Sequence, residues 1–378
     1  MKRQRSPVDR DRIPGKRTPC GKRRCLRGMG LMLGAALLLS LAAGCGKTEH
    51  QPSVPSVPSV QEPDVPVRLE TLAVELPRDY ALHDDALLNA VSRLPELLKT
   101  ALGQAGVEVG TITATVGTSA SATCQALSGG TVDLAFLPAE GYVEAGGGGT
   151  VILADAGEIS RGERWPDALP GTAASLWAGP SDYGRALVQR MENGGALTAE
   201  ELDHARWGVL DRDSDLGWRY LNLWLADHCE GLTLDDLSQV KAYQSWEELL
   251  RAAAEEEIDL LPLTEEALTQ WESAWTLERG RTDGEGRGGM GRDLPIREEL
   301  TAVAALERSL TVLAAVREEE ALSGDGFAEA LASALDSLSQ TGEGRELLTV
   351  LGAQHFTRAD DGLLNPLRRI LTLEGVAL

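Results

Sequence analysis

Hydrophobic positions in the first part of the folded region follow the two periods expected of a strand and a helix. Leu69–Leu76 alternates like a β-strand, and Asp85–Leu102 carries leucine and valine at helical spacing. A second strand is predicted at Val107–Gly117, which is rich in β-branched residues. A second helix is predicted at Ser119–Leu127, which opens with hydroxyl side chains. A buried-type strand, Val132–Leu137, comes next. Successive strand and helix signals predict an α/β fold whose sheets are mainly parallel and covered by helices.

A second series of signals begins after Ser175 and ends in a helical tail. In chain order it predicts a helix at 183–191, a strand at 207–210, a helix at 215–226, a strand at 239–243, a helix at 246–254 and a strand at 258–261. Further strands are predicted within 301–316, and helices at 327–339, 343–351 and 363–371. The chain of 378 residues is long enough for two or three compact units.

The first 44 residues have a different pattern. Met1–Arg27 is polar and basic, and Gly28–Ala43 is free of charge with a leucine-rich centre. This order is typical of a secretory signal peptide, and the uncharged stretch is short for a bilayer span of about 20 residues. The run from Leu41 to Cys45, Leu-Ala-Ala-Gly-Cys, resembles the bacterial lipobox, which implies that Cys45 is lipidated and becomes the first mature residue. The alternative is an ordinary signal peptide with an incidental cysteine.

Residues 45–66 are predicted to form a tether that starts at the lipidated Cys45. Pro-Ser-Val occurs three times in Pro52–Val60, and such a polar, proline-rich segment favours extended, polyproline-like conformations. We therefore expect the folded part to work at the outer face of a bacterial cytoplasmic membrane. Lys22, Arg23 and Arg24 leave both the general and the twin-arginine export routes open.

Charge is distributed unevenly along the chain and limits the choice of partners. Residues 1–44 hold eleven basic and two acidic residues, so the chain from Cys45 onward has 25 basic against 56 acidic residues. A part of the chain this acidic repels phosphodiester backbones, and no nucleic-acid partner is expected. Five cysteines are too few for a disulfide scaffold, and we expect Cys124 and Cys229 to be free or buried thiols.

Three stretches of sequence have an order that points to a family. In Gly117–Tyr142 a strand ends in small residues, a helix ends in a glycine turn, and a Val-Asp strand leads into a proline-containing loop with a tyrosine. A short helical segment at Leu197–Leu202 precedes the strand Trp207–Asp211, and the chain ends in helices around Ser339–Phe356. Across roughly residues 67–372 this order resembles the phosphonate-type solute-binding proteins of ABC importers.

The resemblance implies a two-lobed periplasmic-binding-protein fold with two chain crossings. The expected lobes are 67–175 together with 262–378, and 176–261, with crossings near Ser175 and Pro262. It also implies a lipid-anchored binding protein that captures a small solute, such as a phosphonate-like oxyanion, and delivers it to an ABC permease and its ATPase. No cofactor and no metal are expected.

Candidate ligand contacts are hydroxyl groups at strand ends and helix starts, because free helix N-termini bind small anions. On the first lobe they are Thr118, Ser119 and Ser121, with ordinary helix capping as the alternative. On the second lobe they are Ser214 and Asp215, although Asp215 could be a plain helix cap and, with Asp213, would oppose a doubly charged anion.

Four further residues are candidate contacts, Tyr142 and Ser309 by their position in the family pattern and Trp218 and Thr264 by their position in the predicted fold. Tyr142 follows the Val-Asp strand, Trp218 lies nearest a predicted helix start, Thr264 lies where the chain is expected to return to the first lobe, and Ser309 lies in a later loop. Core packing is the alternative for Tyr142 and Trp218.

Catalysis has little support in the sequence, so the protein is not expected to be an enzyme. None of the five histidines stands at metal-ligand spacing from another histidine or a cysteine. The glycine pattern at 284–289 is not preceded by a strand and is interpreted as a loop. Two alternatives to transport stay open: a sensory or scaffold lipoprotein with the same fold, and an extracytoplasmic hydrolase.

Overall fold

The computed structural model describes residues 67–78, 84–157 and 168–378. The predicted signal peptide, the tether and Cys45 lie outside these described residues. The described strands are β1 (Val67–Pro77), β2 (Val107–Gly117), β3 (Leu134–Pro138), β4 (Thr150–Asp155), β5 (Ala174–Ala178), β6 (Trp207–Val209), β7 (Val240–Ala242), β8 (Leu260–Thr264), β9 (Thr301–Ala305), β10 (Val312–Val316) and β11 (Phe356–Arg358).

The helices match most of the periodic segments of the sequence. They are α1 (Asp84–Gln104), α2 (Ala120–Ser128), α3 (Ala139–Glu144), α4 (Asp182–Glu192), α5 (Ala199–His204), α6 (Tyr220–His228), α7 (Trp246–Ala254), α8 (Glu265–Thr276), α9 (Ile296–Glu299), α10 (Glu320–Ser323), α11 (Asp325–Ser339), α12 (Gly342–Leu351) and α13 (Asn365–Leu373). A π-helical turn at Asp215–Arg219 leads directly into α6, so the single helix predicted at 215–226 has two parts.

Two sheets organise the chain. The first has the order β11-β4-β10-β3-β1-β2, and the second has the order β7-β6-β8-β5-β9. The prediction of an α/β fold with two sheets and two crossings is therefore confirmed. Pro262 lies within β8 of the second sheet, and β9 follows in the same sheet, so the chain returns to the first sheet between Ala305 and Val312. The return expected near Pro262 is wrong, because β8 is an interior strand of the second sheet.

Both sheets are mixed, and the expectation of mainly parallel sheets is wrong. In the first sheet β1, β2 and β3 are parallel, whereas β10 is antiparallel to both β3 and β4. In the second sheet β5 is antiparallel to β8 and β9. The reason is the crossing itself: β5 and β10 each arrive from the other sheet, so they start at the junction where their neighbours end.

Apolar side chains cover both faces of the first sheet. Leu94, Leu98 and Leu102 of α1 pack with α11 and α12 over one face, and α2, α3 and α13 cover the other. Each fully buried leucine contributes about 1.5–3 kcal/mol relative to an exposed one. The helix predicted at Asp85–Leu102 thus forms because its leucines recur on the face that meets the sheet. Among the residues described, no helix has the length and hydrophobicity needed to cross a membrane.

Candidate functional site

The two sheets meet at the ends of their parallel strands. The carboxyl ends of β1 to β4 lie at one edge of the first sheet, where β10 begins, and the carboxyl ends of β6, β7 and β8 lie at the edge of the second sheet where β5 begins. The crossing segments are tied together by bridges between Ala156 and Pro170 and between Thr172 and Ser309. In open α/β sheets this edge is where ligands bind.

The hydroxyl residues after β2 lie at this edge. Ser119 is half-buried and caps α2, because its Oγ accepts a hydrogen bond from the Ala122 N–H at 3.2 Å. Thr118 and Ser121 are exposed on either side of it. The capping interpretation of Ser119 therefore holds, while the Ser119 hydroxyl proton and the two exposed hydroxyls can still donate to a ligand.

A carboxylate lies beneath the same helix start. Glu75 of β1 accepts a hydrogen bond from the Thr123 hydroxyl at 2.6 Å and another from the Thr115 hydroxyl at 3.2 Å. Gly117 makes this approach possible, because a Cβ there would lie 2.5 Å from the Glu75 Oε1 atom. The positive end of the α2 dipole is therefore already close to one negative charge of the protein itself.

The turn after β6 places Ser214 and Asp215 at the junction. Ser214 caps the turn by accepting from the Gly217 N–H at 3.1 Å, so Asp215 is not the cap. The carboxylate of Asp215 instead accepts from the Ser309 hydroxyl at 3.0 Å and from Arg219 at 2.9 Å. The structure thus brings together three of the predicted residues, Ser214, Asp215 and Ser309, with Ser309 98% buried.

Arg219, which was not among the residues predicted from the sequence, is a buried cation in this region. Its side chain is 91% buried, and its guanidinium pairs with Glu140 at 3.1 Å and with Glu374 at 2.8 Å, in addition to Asp215. These hydrogen bonds, that to Glu374 foremost, raise the pKa of Arg219. One guanidinium therefore faces three carboxylates drawn from α3, from the end of α13 and from its own turn.

Tyr142 lies away from the junction, which corrects its assignment as a ligand contact. Its ring is 98% buried in α3, and its hydroxyl donates to the Gly149 carbonyl at 2.8 Å, just before the start of β4. That point is the opposite edge of the first sheet, where Tyr142 borders a depression of about 680 Å³ beside Gly147 and Arg368. Burial raises the pKa of Tyr142 to about 12.

Trp218 and Thr264 also have structural roles. Trp218 packs in the apolar core of the second sheet, and the guanidinium of Arg212 lies 4.7 Å from its ring centroid. Core packing, the alternative interpretation, therefore accounts for Trp218. Thr264 ends β8 and caps α8, since its hydroxyl oxygen accepts from the Ala267 N–H at 3.0 Å. It belongs to the second sheet and not to the return crossing.

A cavity of about 760 Å³ opens at the junction between the two sheets. The first sheet contributes Asp155 at the end of β4, Thr311 before β10, and residues 352–355 before β11. The second sheet contributes Thr172 before β5, and Glu266, Thr269 and Gln270 from α8. A cavity of this size, lined from both halves, is suited to a small solute.

Asp155 is a buried acid that lines this cavity, and it was not among the residues predicted from the sequence. Only 6% of the residue is exposed, and its Oδ1 accepts hydrogen bonds from the N–H groups of Thr311 (2.8 Å) and Val312 (3.1 Å). Burial raises the pKa of Asp155, while the two N–H donors act in the opposite direction. The available signal was an acid at the end of the apolar run VILAD, but a lone aspartate before a turn is common.

The described part of the chain offers little for metal binding or thiol chemistry. No group of three or more His, Cys, Asp or Glu side chains that could hold a metal ion occurs in it. Cys124 and Cys229 are free and buried, as expected, and burial raises the pKa of Cys124 to about 11. Such a thiol is protonated at neutral pH and is a poor nucleophile.

Two sheets joined by two crossings, with a solute-sized cavity at their junction, define a two-lobed binding protein. A model of the family "ABC transporter, phosphonate, periplasmic substrate-binding protein" matches residues 82–364. The chain belongs to this family of extracytoplasmic transport proteins, and membership implies a small-molecule ligand and permease and ATPase partners. No protein in a search of curated sequences matches the chain.

Solved structures with a similar fold share little sequence with this chain. A binding protein component of an ABC phosphonate transporter from Pseudomonas aeruginosa is 16% identical, with 81% of this chain and 87% of that chain covered and a TM-score of 0.34. PhnD1 from Prochlorococcus marinus, solved with methylphosphonate, is 12% identical, with 82% and 99% covered and a TM-score of 0.36. XAC2383 from Xanthomonas citri, solved with ATP, is 10% identical, with 82% and 100% covered and a TM-score of 0.39. The family assignment rests on the family match and not on these individual structures.

Proposed function

We propose that this protein captures a small solute in the cavity between its two sheets and delivers it to an ABC importer. The observation that carries the proposal is the cavity of about 760 Å³ lined by both halves of the molecule. A solute there contacts Asp155 and Thr311 on one side and Thr172 and Gln270 on the other. The free energy of solute binding can therefore stabilise one relative arrangement of the two sheets and their helices. A permease can recognise that arrangement.

The proposal assigns binding and not catalysis. The Asp155 carboxylate is held by two backbone N–H groups, and the free thiols Cys124 and Cys229 are buried. Neither arrangement pairs a nucleophile with a base.

A direct test compares the solutes that the purified protein carries. Protein from the native host is denatured, and the released small molecules are identified by mass spectrometry. Gln270→Trp places a large ring in the cavity from an exposed position of α8, and Gln189→Trp makes the same change on the exposed side of α4. We expect the wild type and Gln189→Trp to release the same solute and Gln270→Trp to release none. Equal release from all three proteins would contradict the proposed site.

The membrane anchor is part of the proposal and rests on sequence alone. Cys45 ends the small-residue run after the uncharged segment, and the proline-rich tether begins directly after it. A lipidated Cys45 would keep the binding protein close to its permease, which raises the effective concentration of the complex. Cys45→Ala is expected to release the protein from the membrane fraction, whereas Cys25→Ala, within the basic segment, is not. An unchanged distribution and mature mass of Cys45→Ala would exclude the anchor.

A small oxyanion at the helix starts is the second candidate ligand. The exposed Thr118 and Ser121 hydroxyls beside Ser119, and Ser214 on the other sheet, favour it. The carboxylates of Glu75 and Asp215 at the same helix starts oppose it. These opposed charges make an oxyanion the weaker of the two candidates, and Ser214→Ala distinguishes it from a solute in the cavity.

A further inference from the structure

A set of ion pairs joins the two halves of the molecule beside α13. The Arg219 guanidinium, at the start of α6 in the second half, donates two hydrogen bonds to the Glu140 carboxylate, at 3.1 and 3.2 Å. It donates two more, both at 2.8 Å, to the carboxylate of Glu374. Glu140 lies on α3 and Glu374 follows α13, and both helices cover the first sheet. One cation of the second half thus holds two carboxylates of the first.

Apolar side chains extend this contact. Ile370 of α13 packs against Tyr220 and Leu223 of α6, and each of the three is at most 2% exposed. Arg369 and Asp227 form a further ion pair between the same two helices. We call the contacts of Arg219 with the two glutamates and of α6 with α13 the clasp. Its apolar part is small and its glutamates are 40–47% exposed, so it resembles an interface between domains that can separate.

The clasp and the cavity lie on opposite faces of both sheets. In the first sheet α13 and α3 pack on one face, and α12, which leads into the cavity residues 352–355, packs on the other. In the second sheet Leu176 of β5 packs with α6, whereas the next residue, Trp177, packs with the cavity helix α8. Successive strand residues point to opposite faces, so α6 and α8 are on different sides. The crossing segments, bridged at Thr172 and Ser309, run between the clasp and the cavity.

Rotation about the crossing segments therefore changes the two regions in opposite directions. A rotation that narrows the cavity moves α6 away from α13, and Arg219 then has to leave Glu140 and Glu374. Arg219 would still keep Asp215, its neighbour in the same turn, and Asp215 is tied to Ser309 of the crossing. Because a buried charge that keeps one partner costs far less than an unpaired charge, the clasp can open without unfolding the turn.

We propose that the clasp holds the cavity in a wide arrangement and that a solute, by narrowing the cavity, opens the clasp. This inference rests on the proposed function, because it takes the cavity as the solute site. Part of the free energy of solute binding is then used to separate α6 from α13. Arg219, Glu140 and Glu374 accordingly set the affinity for the solute without touching it.

A distance measured on the cavity side tests the coupling. Ketone-bearing amino acids at Thr276 of α8 and Arg345 of α12, both exposed, carry spin labels, so the cysteines are left unchanged. Pulsed electron paramagnetic resonance then gives the distance between the two helices in the full chain. Glu140→Gln with Glu374→Gln is the clasp variant, in which Arg219 keeps Asp215. The matched control makes the same charge change at exposed positions of α3 and α1, Glu144→Gln with Glu96→Gln.

We expect the clasp variant to raise the population of a shorter distance at least about threefold, the effect of losing two partly exposed ion pairs. The control pair is expected to match the wild type. Sodium chloride at about 1 M, which screens exposed charges, should shift the wild type in the same direction.

The solute that each purified protein retains through dialysis, measured by mass spectrometry after denaturation, is the second readout. We expect the clasp variant to retain more than the wild type and the control pair, whereas mere destabilisation would make it retain less. An unchanged distance, a longer distance, or less solute in the clasp variant alone would overturn the inference. Proteins that all lack a solute would contradict the proposed function, and the distance would still decide whether the clasp and the cavity move against each other.

Discussion

Arg219 donates a hydrogen bond to Glu140 at 3.1 Å, and this ion pair links the turn after β6 of one sheet to the helix after β3 of the other. The same guanidinium reaches Glu374 beyond α13. Beside it Tyr220 and Leu223 of α6 pack on Ile370 of α13, and Asp227 pairs with Arg369. The C-terminal helix α13, which covers the first sheet, therefore also contacts the turn and helix that follow β6 of the second sheet. These contacts lie next to the predicted residues Ser214 and Asp215.

Replacing Arg219 is expected to weaken the folded state more than replacing an exposed arginine. Arg219→Met keeps the apolar stem but leaves three carboxylates close together, and a loss of about 2 kcal/mol is expected, between exposed and buried ion pairs. Arg68→Met, which removes the exposed pair with Glu108, is the control and should cost less than about 0.5 kcal/mol. Urea unfolding measures the free energy of unfolding of both variants. Equal losses would show that the ion pairs of Arg219 contribute no more to stability than an exposed ion pair.

A second buried carboxylate makes stability depend on pH. Burial of Asp259 by itself would raise its pKa, but hydrogen bonds from Arg206 and Ser181 outweigh that effect and lower it. Because the folded pKa lies below the unfolded value of about 3.9, this stabilisation is complete above that value and is lost as the pH falls through the folded pKa.

Asp259→Asn therefore removes this part of the pH dependence. We expect the variant to be less stable than the wild type at pH 7, with a difference that shrinks as the pH falls below about 4. Urea unfolding at a series of pH values measures the difference. A constant difference across the series would show that the Asp259 carboxylate has the same pKa in the folded and unfolded states.

Local patterns predicted the elements that are amphipathic or rich in β-branched residues. α1, β2 and α7 lie within a few residues of their predicted bounds, because each has one apolar face that meets a sheet. β4 and α8 were missed. β4 is buried along nearly its whole length and shows no alternation, and α8 follows β8 without a loop, because Thr264 both ends the strand and caps the helix.

The crossings and the cavity depend on contacts that no local pattern contains. β10 inserts between β3 and β4, more than 150 residues earlier in the chain, and only this insertion brings Thr311 to Asp155. Hydroxyl residues at helix starts are visible in sequence, and so Ser119 and Ser214 could be predicted at the junction edge. A carboxylate whose partners are backbone N–H groups from a distant strand could not.

The corrected role of Tyr142 has its own consequence. Tyr142→Phe removes the hydrogen bond to the Gly149 carbonyl and keeps the packing of the ring, so a loss of about 1 kcal/mol is expected. The solute released on denaturation should be unchanged, because the hydroxyl lies at the opposite edge of the first sheet. Thermal unfolding and the release assay measure the two effects, and a protein of normal stability without its solute would restore Tyr142 as a ligand contact.

Two serine caps on the second sheet separate the oxyanion hypothesis from the cavity. Ser214 Oγ accepts from the Gly217 N–H at 3.1 Å, and Ser245 Oγ accepts from the Glu248 N–H at 3.2 Å at the start of α7. Each alanine variant should lose about 1 kcal/mol of stability, the usual value for a lost N-cap. Because the described lining of the cavity comes from Asp155, α8 and their neighbours and includes neither serine, both variants are expected to keep their solute in the release assay. An oxyanion gripped at the junction edge requires Ser214→Ala alone to lose its ligand, while Ser245→Ala, destabilised to the same extent, retains it. That outcome would move the binding site from the cavity to the helix starts.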